Sequence, residues 1–81
     1  MNKRKLELGD RNIIGARVTQ ARQELGMLQK DLLAKLQIEG IEISLPSLSL
    51  LEGQKRPVFD YELQALCRVL HKEPNWFFGI E

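Results

Sequence analysis

An all-α fold of five short helices around one small core is what this sequence predicts, on three observations. Leucine, isoleucine and valine recur at three- and four-residue spacing in four stretches, the pattern of helices that bury one face. Gly26, Gly40, Gly53, Pro57 and Pro74 stand between those stretches, where each stops one element or opens the next. At 81 residues there is room for one domain with a modest core, so the helices have to share it. Residues 12–81 are assigned to that domain and residues 1–11 to a basic N-terminal arm.

The arm sets Lys3, Arg4, Lys5 and Arg11 against Glu7 and Asp10 and shows no helical stripe. Three readings stay open for it: a frayed terminus, a basic arm reaching along DNA, or a short contact of Leu6 and Leu8 with a partner chain. Helix one is expected from near Asn12, a capping residue type, to before Gly26. Its buried stripe is Ile14, Val18, Ala21 and Leu25, flanked by Arg17 and Arg22. Helix two is expected over Leu28–Gln37, burying Leu32, Leu33 and Leu36. Leu28 stands where Ser, Thr or Asp is the usual cap, so the first N–H groups need other acceptors. Gly40 breaks the helix, and Ile38, Ile41 and Ile43 read as core plugs of a partly buried connection.

Helix three is expected from Ser44 to Glu52. Ser44 is a good N-cap, Pro46 falls in the first turn where its missing N–H is harmless, and Gly53 stops the helix. Leu48 and Leu51 point inward, which turns Pro46, Ser49 and Leu50 outward with Leu45 and Ser47 on the flanks. Two helices this short are not stable alone, and the pair joined by a turn has the logic of a helix-turn-helix. Asp60 is expected to cap helix four, with Glu62 in its first turn and Leu63, Leu66 and Leu70 as its stripe. Cys67 adjoins that stripe as a buried inert thiol, and His71 reads as a helix-end cation or surface residue. Pro74 opens a last helix, Asn75 to Phe78, before Gly79. Trp76, Phe77 and Phe78 form a core lid that in part faces a second subunit.

Bulk composition narrows the classes. The chain is 43% apolar and 28% charged, with no apolar run of membrane-spanning length and no apolar segment behind its basic start. One cysteine excludes an internal disulfide framework and suits a reducing compartment, so a cytoplasmic protein is expected. Net charge is only +1, so bulk charge gives no support to nucleic-acid binding and a local cluster of cations has to supply it.

The ordered set Ile14-Gly15-Ala16-Arg17, Ala21-Arg22, Gly26, Gln29, Leu32 to Leu36, Ile43-Ser44, Ser49 to Glu52, Arg56-Pro57 and Trp76 to Gly79 resembles the phage repressor and Cro family of helix-turn-helix regulators, often called XRE. The likeness runs from residue 12 onward. It implies a compact, all-helical DNA-binding domain, homodimers on two-fold operators of double-stranded DNA, transcription regulation, and no cofactor. By position, Arg22 and Glu52 resemble the family's structural ion pair between helix one and the end of helix three. Gln29 resembles its phosphate-contacting glutamine, a contact that fixes register without reading sequence. Lys30, Lys55 and Arg56 then sit at the edges of the same surface, and with Arg17 they would make a basic rim. The connection before Ser44 is several residues longer than the family's tight turn.

Helix three departs from that pattern in its outward side chains. Bidentate reading of guanine or adenine needs forked side chains, whereas Leu45, Pro46, Ser47, Ser49 and Leu50 offer hydroxyls and hydrocarbon. Two function classes follow: a DNA-binding regulator with helix three in the major groove, and a protein-interaction module on the same scaffold. An enzyme is not expected. The single His and single Cys have no ligand or catalytic partner at useful spacing, no glycine-rich phosphate loop occurs, and no small-molecule substrate is evident.

Overall fold

The computed structural model describes residues 10–80 and shows five helices, α1 (Gly15–Glu24), α2 (Gln29–Ile38), α3 (Leu45–Glu52), α4 (Asp60–Leu70) and α5 (Pro74–Phe78), with no strand among the described residues. The buried stripes meet in one core. Ile14, Val18 and Ala21 come from the start and body of α1, Leu32 and Leu36 from α2, and Leu48 and Leu51 from α3. Ala65, Leu66 and Leu70 of α4 close the other side, and Phe77 of α5, 0% exposed, is the lid. Each fully buried leucine is worth about 1.5–3 kcal/mol, far more than helix propensity gives segments of eight to eleven residues. Packing therefore holds these helices.

Helix ends explain most departures from the expected boundaries. Asn12 caps from outside the helix: its Oδ1 accepts from the N–H groups of Ile14 (3.0 Å) and Gly15 (2.8 Å), and α1 starts three residues later than Asn12 suggests. The α2 cap position is held by Leu28, and its N–H donates to the Asp31 carboxylate at 2.9 Å, the acceptor that the leucine cannot supply elsewhere. Phe59, not Asp60, is the cap residue of α4; Glu62 reaches back to accept its N–H at 2.9 Å. Only α3 follows the expected serine cap, with the Ser47 N–H donating to Ser44 Oγ at 3.2 Å.

Two expected core residues lie outside. Leu25 is 46% exposed because the chain is already reversing through Gly26 (φ 72°). Met27, two residues on, sends its N–H back to the Arg22 carbonyl and takes the place against the core. Ile38 is 84% exposed, since two residues beyond Leu36 is a rotation of about 200° to the opposite face of α2. The same kind of reversal at Gly40 (φ 90°) brings Ile41 onto the core, where it is 9% exposed, and leaves Ile43 half-buried. Leu33, Leu63 and Cys67 are half-buried against the core, and Ala65 takes the buried place in α4 that the stripe assigned to Leu63.

The described residues begin at the end of the assigned arm. Residues 1–9 with Leu6 and Leu8 lie outside them, but Asp10 and Arg11 are attached to the domain. The Arg11 N–H donates to the Gln54 carbonyl at 2.8 Å, and Asp10 pairs with Lys55 at 3.3 Å.

Candidate functional site

The orientation of α3 is fixed by two polar anchors and one close approach at its C-terminal end. Glu52 accepts from Arg22 Nε (2.9 Å), Arg22 Nη2 (3.0 Å), Thr19 Oγ1 (3.0 Å) and Gln29 Nε2 (3.1 Å). Its side chain is 5% exposed and that of Arg22 12%, so the pair is shielded from water, and Arg22 Nη1 donates onward to the Met27 carbonyl at 2.9 Å. Asn12 Nδ2 donates to the carbonyls of Leu51 (3.1 Å) and Arg56 (2.8 Å), tying the loop after α3 to the start of α1. Gly15 lets α1 approach this point: a Cβ there would overlap the Leu51 carbonyl oxygen.

Held in this way, α3 buries Leu48 and Leu51 and turns Pro46, Ser49 and Leu50 to solvent, with Leu45 41% and Leu50 48% exposed. Ser47 is half-buried. Ser49 Oγ donates to Gln29 Oε1 at 3.0 Å, so the first turn of α2 sits directly beside the open face of α3. Gln29 thus touches α3 through both ends of its amide, and one of its two N–H donors stays free of Glu52.

The four cations expected to form a basic rim differ in how far they are engaged within the domain. Lys30 is exposed and joins no ion pair among the described residues. Lys55 is at the surface, its side chain 56% exposed, and is partly neutralised by Asp10. Arg56, expected at a phosphate, is engaged within the domain: it grips Glu62 through Nη1 (3.0 Å) and Nη2 (2.8 Å) and donates to the carbonyls of Pro57 (2.6 Å) and Ser47 (3.2 Å). Four of its five donors are therefore satisfied within the domain. Arg17 lies over the Trp76 ring, 4.7 Å from the centroid, and Lys72 Nζ is 4.4 Å from the same ring. Lys72 also pairs with Glu24 at 3.4 Å; the Gln20 amide first and Lys72 second hold the Glu24 carboxyl below its usual range.

Sequence reasoning missed the Arg56–Glu62 pair and the second, inward use of Asn12 through Nδ2. Glu62 carried one usable signal, its place three residues after a cap that lacks a side-chain acceptor. The inward use of Asn12 has none, because its partners lie 39 and 44 residues away. The described residues hold no group of His, Cys, Asp and Glu suited to a metal ion. Burial, with Glu73 adding to it, pushes the Cys67 thiol up, away from nucleophilic use. His71 ends α4 in a left-handed turn, exposed, as a surface residue. No helix among the described residues is long and apolar enough to cross a membrane. The surface can offer hydroxyls, one amide and hydrocarbon, framed by Lys30 and Lys55. No protein-family model, curated protein or solved structure matches this chain.

Proposed function

We propose that the chain is a DNA-binding transcriptional regulator that lays the Pro46–Ser49–Leu50 side of α3 into the major groove of double-stranded DNA and acts as a homodimer. The observation that carries this reading is the locked pose of α3, with its leucines anchored behind and its opposite side open to solvent. A rigid helix presented in this manner is what groove recognition requires. Gln29 and Lys30 at the start of α2, and Lys55 beyond α3, would contact phosphates and set the register. Leu50 and Pro46 suit thymine methyl groups, and Ser49 a base edge or phosphate; specificity then leans on DNA shape.

Two phosphate-neutralising lysines per copy give a dimer a log–log salt slope of about −3.6 or steeper. Anisotropy titration of a fluorescein-labelled random-sequence duplex at two salt concentrations measures it. Absence of binding at low salt removes the proposal.

A second reading, a protein-interaction module, has its own support: Arg17 and Arg56 are engaged inside the domain while Leu45 and Leu50 are exposed. Leu50→Arg separates the two. It strengthens or retunes duplex binding in the first reading and abolishes a partner complex in the second.

A further inference from the structure

We propose that two copies of this chain associate through the groove between the start of α1 and the start of α4, the stacked Phe59–Tyr61 pair of each copy seating in the other's groove while Arg11 of each meets the partner's Asp60. The inference rests on the homodimer of the preceding reading and gives it a surface. The groove holds about 390 Å³, and its floor is hydrocarbon and ring: Ile13, Val58, Leu63 and Phe78. Beside it stands a ridge. Phe59 and Tyr61 stack with centroids 5.5 Å apart and planes 15° from parallel, and they are 55% and 56% exposed. Phe59 both lines the groove and forms the ridge, so knob and hole are adjacent on one face. That is the shape a two-fold contact needs, because the same patch has to complement itself.

Charge selects the occupant. Arg11 and Asp60 both line the groove, and neither joins an ion pair among the described residues. An anionic ligand would meet Asp60 as well as Arg11, and a cationic ligand the reverse. A second copy brings both signs and matches each to its opposite across the axis. The alternative surface, Trp76 to Ile80, is less available: the Trp76 ring carries Arg17 and Lys72, and Phe77 is fully buried. Two ring pairs and two shallow grooves put the contact at the small end of specific interfaces, below about 1,200 Å², the range of weak and transient associations.

Sedimentation equilibrium of the full chain tests this with R11E, D60R, their equimolar mixture and Y61E, each checked for helicity by circular dichroism. The parent chain dimerises, each single charge change weakens association at least tenfold, and mixing R11E with D60R restores it, since both swapped charges then face their opposites. Y61E, at an exposed site, loses the dimer while keeping its helices, and it carries the test if a charge variant misfolds. A parent chain monomeric up to hundreds of micromolar overturns the proposal, including the case in which residues 1–9 fill the groove of their own chain. Dimers indifferent to these changes, or a mixture that stays dissociated, overturn it too. Duplex titration of the same samples keeps the two readings apart: a dimer without duplex binding sinks only the DNA reading, and duplex binding without a dimer sinks this surface and the homodimer while leaving DNA binding in place.

Discussion

Glu52→Ala is the sharpest probe of how α3 is held. The carboxylate accepts four hydrogen bonds from Arg22, Thr19 and Gln29, and its removal strands a guanidinium whose side chain is 12% exposed. Breaking a buried pair from one side costs about 3–5 kcal/mol, chiefly because the surviving charge is left uncompensated. A domain of 81 residues has about 4–12 kcal/mol in total, so the variant loses a large share of its stability. At about 4–8 °C for each kcal/mol, even the lower figure drops Tm by about 12 °C or more. Thr19 has a weak second acceptor in the Gly15 carbonyl at 3.4 Å, whereas Arg22 keeps only the Met27 carbonyl. Urea unfolding followed by circular dichroism gives the number. Because the loss comes from the orphaned charge, Arg22→Met/Glu52→Leu should recover much of it, with a coupling of about 2 kcal/mol in the double-mutant cycle. A Glu52→Ala loss under about 1 kcal/mol, or purely additive singles, would refute the reasoning.

Three other outcomes are expected. Gly15→Ala should lose about 2 kcal/mol in urea unfolding although alanine favours helix by about 1 kcal/mol, because the new Cβ meets the Leu51 and Glu52 carbonyls, which cannot swing away; a more stable variant would contradict it. His71→Gly should gain about 0.5–1 kcal/mol, the left-handed φ of 59° being strained for histidine by about 1–2 kcal/mol and the added chain entropy returning part of that. A lowered Tm would count against this account. Cys67 should react with iodoacetamide more slowly than free cysteine, its rate rising only above the usual thiol range, since burial first and Glu73 second keep it protonated. Mass spectrometry across pH reads this directly, and a midpoint below the ordinary range is the contrary result.

What the sequence made legible were features carried by neighbours within a turn or two. The inward leucines of α2, α3 and α4, the serine cap of α3 and the proline at the head of α5 all follow from spacing and local hydrogen bonding. Ile38 is not legible in this way, because hydrophobicity alone says nothing of rotation once a helix runs two residues past the end of its stripe. The cations were harder. Arg17 sits over a ring 59 positions away, and Arg56 joins a carboxylate six residues on across a proline turn, a spacing with no helical or strand meaning. Side-chain reach decides such pairings, and only the assembled chain sets it. The ionic link between Arg22 and Glu52 was visible solely through family likeness, for 30 residues separate its partners.

The distribution of charge carries a consequence for the DNA reading itself. Of the nine Lys and Arg among the described residues, Arg17, Arg22, Lys55, Arg56, Arg68 and Lys72 already face a carboxylate or a ring. Arg11, Lys30 and Lys35 are left, with Lys55, its side chain 56% exposed, only partly neutralised by Asp10; of these Lys30 adjoins the Gln29 amide that touches α3 and Lys55 follows the end of α3. Counterion release from so few sites is modest, whereas Leu45, Pro46 and Leu50 bring hydrocarbon, whose contribution salt does not screen. Duplex affinity that outlasts the salt-sensitive part should therefore track these three side chains. Leu50→Ser removes apolar area without changing charge, so it should lower that residual affinity and leave the salt slope untouched. A changed slope with an unchanged residue would place the phosphate-facing surface somewhere other than beside α3.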